Sequence, residues 1–357
     1  AAGYSATIPA SAAGPGQMVR WRIAVTAGGV SSRWPVNDNT ATPLPLYLGT
    51  TIQALPVNTK LPVYEVFVGG YAKPPSAAGP FHAADSDNGA RGAFAWQGVL
   101  YDNVFYRIKG TTSRYLFKRS HRVEFNAGHG FAWSPAEAPL RELNLNSEYV
   151  DPAACRQYLS LWMQREAGVG GAPHFPVRVH MNGAFWQLAF HTMAADRELL
   201  SYMRLDERGA LYKQTGQLTP GAPEKETRNW ESNTDYNTLA AGISESRTLA
   251  QRTASLLDLT NIAAVINYIA VARLTQEADD VWANMVLYRD SEGSQEWRPV
   301  PFDLNLSFGQ LFHDGQTWNT AVHATMDNNK SHPLYGSSVC RPQYPNNPAY
   351  NTWWNRL

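Results

Sequence analysis

The apolar and polar positions of this 357-residue chain change period several times. Early on they alternate, the two-residue period of strands half buried against a core. Tyr4–Pro9 and Val19–Val25 read this way, and so do Leu61–Val68, Phe94–Leu100, Val104–Lys109 and Arg119–Phe125. A hairpin is predicted to turn at Tyr101-Asp102-Asn103. A second lies at Asn182-Gly183, between Pro176–Met181 and Ala184–His191, because this dipeptide supplies the two positive φ values of a tight turn. Helical spacing enters later. After Asp151 as cap and Pro152 in the first turn, Cys155, Leu159, Trp162 and Met163 share one face, with Gly168 as the stop. Leu259, Ile262, Ile266, Ile269 and Arg273 predict a helix over 259–274, capped by Asp258 or Thr260. Val286–Tyr288, a turn at Asp290–Gly293 and Trp297–Phe302 then predict a hairpin.

These patterns divide the chain unevenly. Residues 1–56 read as the last strands of an immunoglobulin-like sandwich followed by a Pro- and Asn-containing linker over 31–56; residues 57–357 read as a second domain. The polar stretch 216–246 suggests a lid, a substrate-facing insertion or a plain connection. Residues 313–348 have little periodicity and carry no assignment.

Charge narrows the function classes. The 30 basic and 30 acidic side chains cancel, which speaks against a nucleic-acid partner or a polybasic membrane surface. No apolar run approaches a membrane span. Two cysteines exclude a multi-cysteine zinc site, and Cys155 is expected as a packed thiol. The histidines form no paired-ligand motif, and no Gly-x-Ser-x-Gly elbow is present. The chain opens without a Met or a signal-like segment, so it reads as a piece of a larger protein.

Candidate chemistry concentrates after the second predicted helix. Asp279, Asp280 and Asn284 occupy one loop, and the hairpin that follows returns the chain through Asp303 to the same end. Carboxylates and a carboxamide converging there suit a hard cation and a phosphate. Asp279 and Asn284 are five apart, the separation of a kinase catalytic loop, whereas Asp280 and Asn284 are four apart. Upstream, Gly110–Arg114 is a small, hydroxyl-rich connection flanked by Lys109, Lys118 and Arg119, whose donors suit phosphate oxygens. Glu148 and Glu166 are candidates for a carboxylate partnering such a lysine.

Several of these stretches together resemble the spore-coat protein H (CotH) kinase family. Those stretches are Arg107–Arg114 with Lys118-Arg119-Ser120, the Asn-rich run Leu143–Tyr149, the Asn182-Gly183 hairpin, Leu211-Tyr212-Lys213, Asn267–Ala270, Asp279–Asn284, Leu287–Asp290 and Pro301–Gly309. The resemblance covers roughly 57–309. It implies an α+β, atypical protein-kinase-like fold of two lobes, one β-rich and one helical, here preceded by the partial sandwich segment. It also implies phosphoryl transfer from ATP, with Mg or Mn, to Ser or Thr of secreted or coat proteins. In that scheme Asp280 or Asp279 orients the acceptor hydroxyl. Asp303, Asn284 and Asn305 hold the metal, while Lys118, Lys109, Arg119 and Lys213 meet the nucleotide. The expected partner is a protein rich in Ser and Thr, and the expected location is secreted or cell-surface. Three departures stand out: Lys109 replaces the family's usual arginine, Met193 a strand-ending glutamate, and Asn305 a frequent second aspartate. They leave a second expectation open, an inactive or weakly active kinase-fold module for adhesion or scaffolding.

Overall fold

The computed structural model describes residues 3–36, 46–52, 57–69, 89–110, 113–214, 218, 221, 223–244, 246–275, 277, 284–308, 311–313 and 317–319. Within them the chain is mixed α/β, with more strands than helices. It divides into two compact units, residues 1–147 with 175–192, and residues 148–174 with 193–357. Each is described by itself.

The first unit is built on a closed barrel. Its strands are β5 (Val63–Val68), β6 (Gly89–Trp96), β7 (Val99–Lys109), β8 (Ser120–Glu124), β9 (Glu142–Asn146), β10 (His174–Met181) and β11 (Ala184–Met193), following β1 (Met18–Trp21), β2 (Ile23–Ala27), β3 (Val30–Trp34) and β4 (Leu48–Thr51). The barrel order is β10-β11-β9-β8-β7-β6-β5, and it closes through a parallel pairing of β5 with β10 in which Val63 lies opposite Arg178. Closure leaves no strand of this sheet with an open edge.

Asn182 makes the closing seam. It turns the β10–β11 hairpin in the left-handed region (φ 50°) together with Gly183 (φ 81°). Its side-chain oxygen accepts from Val68 N at 3.0 Å, and its amide donates to Val68 O at 3.0 Å. The carboxamide thus acts as one more rung of the β5 ladder. At Gly183 a Cβ would sit 2.4 Å from Gly16 O. Gly183→Ala therefore combines a disfavoured φ with a backbone clash and is expected to cost about 2 kcal/mol, read as a lowered urea midpoint. An unchanged midpoint would contradict the close approach.

Rings fill the barrel. Phe131 comes from the β8–β9 connection, folded back by a bridge to Leu140 (Phe131 N to Leu140 O 2.8 Å, the reverse bond 3.0 Å). Its ring centroid lies 5.5 Å from Tyr64 on β5, 4.9 Å from Phe94 on β6 and 5.4 Å from Tyr101 on β7. A small barrel has room only for such side chains, so the interior is a core and not a channel. Tyr64 Oη is 2.8 Å from His191 Nδ1, and burial raises the Tyr64 hydroxyl far above the ordinary phenol range, keeping it protonated.

Several sequence expectations give way here. The first long hairpin turns at Gln97-Gly98 (φ 48° and 79°), not at Tyr101–Asn103. Asp102 is instead buried in β7, where it accepts from Arg20 Nη2 at 2.8 Å and Tyr47 N at 3.0 Å. Tyr4–Pro9 is exposed and forms no strand, and the single strand expected over Val19–Val25 breaks at Arg22 into β1 and β2. The stretch expected as a linker supplies β4, which pairs with β1 (Met18 opposite Thr51), while β2 and β3 form a separate hairpin.

The second unit begins with α1 (Arg156–Glu166), which starts later than predicted. Asp151 still organises its start. Its carboxylate accepts from Ala153 N at 3.0 Å and from Cys155 N and Arg156 N at 2.8 Å each, and it pairs with the Arg156 guanidinium. The expected apolar face is inverted. Leu159, Trp162 and Cys155 are exposed, while Gln157, Ser160, Leu161 and Gln164 are buried. Two of the buried polar side chains find partners: Ser160 Oγ donates to Ser307 Oγ at 2.8 Å and Gln164 Nε2 to Tyr268 O at 3.3 Å. Satisfied hydrogen bonds make polar burial tolerable. Cys155 is thus not a packed thiol, and Cys340 lies outside the described residues.

Then come α2 (Arg197–Tyr202), β12 (Ala210–Gln214), β13 (Glu224–Lys225), α3 (Thr234–Gly242), α4 (Leu249–Leu259), α5 (Ile262–Leu274), β14 (Met285–Arg289) and β15 (Trp297–Val300), with a last short hairpin of β16 (Leu311–His313) and β17 (Thr317–Asn319). The sheet order is β13-β12-β14-β15. Tyr212, Leu287 and Trp297 from it pack with Leu218, Tyr236, Leu239 and Ile243 in one core. The described part of 216–246 is therefore core-forming rather than a lid or plain connection. Arg228 ties it down, donating to Glu231 Oε2 at 2.8 Å, Arg208 O at 2.7 Å and Glu292 Oε1 at 2.7 Å. The helix expected over 259–274 is present as α5 from Ile262 on, while Leu259 ends α4 and neither Asp258 nor Thr260 is the α5 cap. Thr248 caps α4 in a capping box, and Asn261 caps α5 by accepting from Ala264 N at 3.0 Å. The face α5 buries is Ala264, Val265, Tyr268, Val271 and Ala272, so Ile266 and Arg273 point to solvent.

Candidate active site

In the first unit the candidate phosphate contacts surround the β7–β8 connection. Gly110 opens it at φ 103°, and a Cβ there would fall 2.0 Å from Ser113 Oγ, so the bend requires glycine. A single 3-10 turn, Ser113–Tyr115, follows. Thr111 and Thr112 lie outside the described residues. The lysines on either side are both fastened to the end of β9. Lys109 Nζ donates to Asn146 Oδ1 at 3.1 Å, and Lys118 Nζ to Ser147 O at 2.7 Å. Ser147 is itself fixed by Ser120, whose Oγ accepts from Ser147 N at 3.0 Å. An ammonium carries three donors, and each of these contacts uses one of them to hold the head group in place. Arg119 follows Lys118 directly and is half-buried. The Asn-rich run Leu143–Ser147 is therefore the platform for both lysines. Sequence reading noted the run but not this service.

In the second unit the register of the β-sheet decides what comes together. Lys213 lies opposite Val286, and Val286 opposite Val300. Asn284 precedes β14 and Asp303 follows β15, so in these antiparallel neighbours both leave the sheet at the same end, where Lys213 also sits near the end of β12. Lys213 Nζ stands 5.7 Å from the ring centroid of Phe302, the residue before Asp303. Phe302, Leu304, Leu306 and Ser307 are buried, while Asp303 and Asn305 between them are only partly so. Apolar neighbours thus pin the segment and leave its carboxylate and carboxamide accessible. Phe308 N donates to Thr275 O at the end of α5, and Ser307 Oγ to Leu304 O at 3.0 Å, which fixes the segment from behind.

Asp303 adopts φ 58°, in the left-handed region. Non-glycine residues occupy it rarely, though Asp and Asn more readily than most, and such outliers gather at functional sites. Asp279 and Asp280 lie outside the described residues.

The donors fit a hard cation by their chemistry. Asp303, Asn284 and Asn305 offer oxygen only, the preference of Mg or Mn. Among the described residues no cluster of three or more His, Cys, Asp or Glu is found; Asp303 is the described carboxylate of the set.

Of the two glutamates considered as a lysine partner, Glu166 is exposed, whereas Glu148 is buried at φ 46° with Oε1 3.7 Å from His174 Nε2. The sequence marks both Glu148 and His174, but nothing in their spacing announces that they meet. Met193 ends β11 as a buried apolar side chain.

A family model described as CotH kinase protein matches residues 106–357. The match starts within β7, later than the resemblance at 57, and continues beyond 309. No curated protein matches the chain.

Proposed function

Because the chain belongs to the CotH kinase protein family, which suggests kinase-like chemistry at a coarse level, we propose that it transfers the γ-phosphoryl group of ATP to Ser or Thr of secreted or coat proteins. The observation that carries this reading is the shared exit of Asn284 and Asp303 from one end of the β12-β14-β15 sheet. In the transfer the acceptor oxygen bonds the γ-phosphorus, the bridging P–O bond to ADP breaks with its electron pair leaving on ADP, and the hydroxyl proton passes to Asp280 or Asp279. Asp303 and Asn284, with Asn305 beside them, would hold Mg or Mn, which when bound spreads the charge developing on the phosphate oxygens. Lys118, Lys109 and Arg119 neutralise phosphate charge, and Lys213 is a further candidate for the nucleotide. The two-lobed kinase arrangement, a secreted or cell-surface location, and residues 1–56 as the tail of another module belong to the same proposal. No helix among the described residues is long and apolar enough to cross a membrane.

A second reading is a kinase-fold adhesion or scaffold module with little or no turnover. It is favoured by Met193, buried and apolar where the family usually ends the strand in glutamate, and by Asn305 in place of a second aspartate.

Transfer of labelled γ-phosphate to Ser-rich peptides, with Mg or Mn, separates the two. Lys118→Ala is expected to raise KM for ATP about tenfold, the loss of one charge-assisted contact, with unfolding little changed. No transfer by the wild type, with no nucleotide-dependent thermal shift, would select the scaffold reading.

A further inference from the structure

The face that α1 turns to solvent is apolar. Cys155 at its N-cap, then Tyr158, Leu159 and Trp162, follow the i, i+3, i+4, i+7 spacing of a single helical stripe. Cys155 is exposed, and Tyr158, Leu159 and Trp162 are 44 %, 36 % and 45 % exposed. A surface helix ordinarily turns such a stripe to the core. Here the opposite side is committed, with Ser160 held by Ser307 at 2.8 Å and Gln164 by Tyr268 O at 3.3 Å, so the helix cannot roll to bury the stripe. Aligned apolar side chains left in water mark a contact surface.

The thiol at the head of the stripe narrows what covers it. The sequence holds two cysteines, and the second, Cys340, lies in residues 320–357, beyond the last described residue, Asn319. The chain sets out toward that segment from beneath α1, because Ser307, bonded to Ser160, shortly precedes β16 and β17. From Asn319 roughly twenty residues lead to Cys340, up to about 70 Å when extended, whereas α1 is only about 16 Å long. Tyr335, Val339 and Tyr344 flank Cys340 as Tyr158, Leu159 and Trp162 follow Cys155.

We propose that residues 320–357 pack on the exposed stripe of α1 and that a Cys155–Cys340 disulfide fastens them there. Neither part depends on phosphate transfer. The bond forms by exchange with an external disulfide such as oxidised glutathione. One cysteine thiolate attacks it and expels one thiol; the other cysteine then attacks the mixed disulfide at the cysteine sulfur and expels the second. The two cysteines together give up two protons and two electrons, and the external disulfide becomes two thiols. A second copy would offer the stripe only its own Cys155 and the same three side chains. Residues 320–357 bring the other thiol and apolar neighbours on one connected chain, at an effective concentration on the order of millimolar.

The test uses the full chain, reduced and then returned to a buffer of oxidised and reduced glutathione. Mass spectrometry after tryptic digestion without reductant should find the peptide carrying Cys155 joined to the one carrying Cys340, in a protein that runs as a monomer. Leu159→Ser/Trp162→Ser changes only exposed side chains. It should leave the far-UV circular dichroism as it is and slow formation of the bond about tenfold, because the stripe no longer brings the thiols together. Trp162→Ala alone, the milder change, should slow it severalfold. Thiols that both stay reduced in that buffer overturn the proposal, and so does a bond that forms equally fast with and without the stripe. Cys155 joined to Cys155 of a second copy also overturns it and makes the stripe a dimer face.

Discussion

Replacing Asp303 by Asn is expected to lower phosphate transfer by about a thousandfold or more while leaving the fold intact. The size follows from what a single carboxylate supplies when it is the charged ligand of a metal that neutralises developing phosphate charge. Asn is a cleaner probe than Ala because of the backbone. At φ 58° Asn tolerates the left-handed region nearly as well as Asp, whereas Ala adds about 1 kcal/mol of conformational cost. Asp303→Ala should therefore lose both activity and a little stability, and Asp303→Asn activity alone. Initial rates with labelled ATP and thermal unfolding on the same samples separate these effects. If Asp303→Asn kept a tenth of the wild-type rate, Asp303 would not be the metal ligand.

Phe131→Ala should be the most damaging change in the first unit, at about 3–5 kcal/mol. The ring is fully buried and lies within 5.6 Å of five other aromatic ring centroids, those of Tyr64, Phe94, Trp96, Tyr101 and Phe125. Rings from so many strands cannot close over the space without moving the barrel, so the cavity would persist. Native stability is itself only about 5–15 kcal/mol, so the variant should be largely unfolded in mild urea. Phe131→Leu, which refills most of the volume, should lose much less. A loss under about 1 kcal/mol for Phe131→Ala would mean the barrel repacks freely.

What the sequence revealed depends on where the deciding contacts lie. The Asn182-Gly183 turn and the Asp290–Gly293 turn were readable because turn chemistry is local; Asp290 accepts from Gly293 N at 3.2 Å and Ser294 N at 2.8 Å. Most barrel strands were readable from local alternation as well, but Tyr4–Pro9 forms no strand and β4 lies in the stretch that reads as a linker. Barrel closure was not. The β5–β10 seam joins segments far apart in the chain, and period-two alternation says nothing about which strand lies beside which. The face of α1 was misread because Ser160 and Gln164 find partners from Ser307 and Tyr268, and hydrophobicity counting assumes such residues face water. The hairpin at Gln97-Gly98 was misplaced because Asp102 and Asn103 look like turn residues, whereas Asp102 serves Arg20 and Tyr47. At the candidate site, Asp303 and Asn284 were visible as a pattern, since two adjacent strands suffice to return the chain. The support beneath Lys109 and Lys118 was not, because Asn146 and Ser147 reach them only once β7, β8 and β9 have paired.

The parallel seam between β5 and β10 also bears on the order of events during synthesis. Among the barrel strands Val63–Val68 is made first; its partner β6 follows soon after, but its other flank has no partner until His174–Met181 has been made. Until then it is an open edge, the kind that invites pairing with a neighbouring chain. The segment bearing α1 is made before the barrel can shut. Closure of the barrel is therefore a late, high-contact-order step, slow by topology and not by any weakness of local structure. Asn182, at the tip of the β10–β11 hairpin, bonds to both backbone groups of Val68 and acts as the latch of that step.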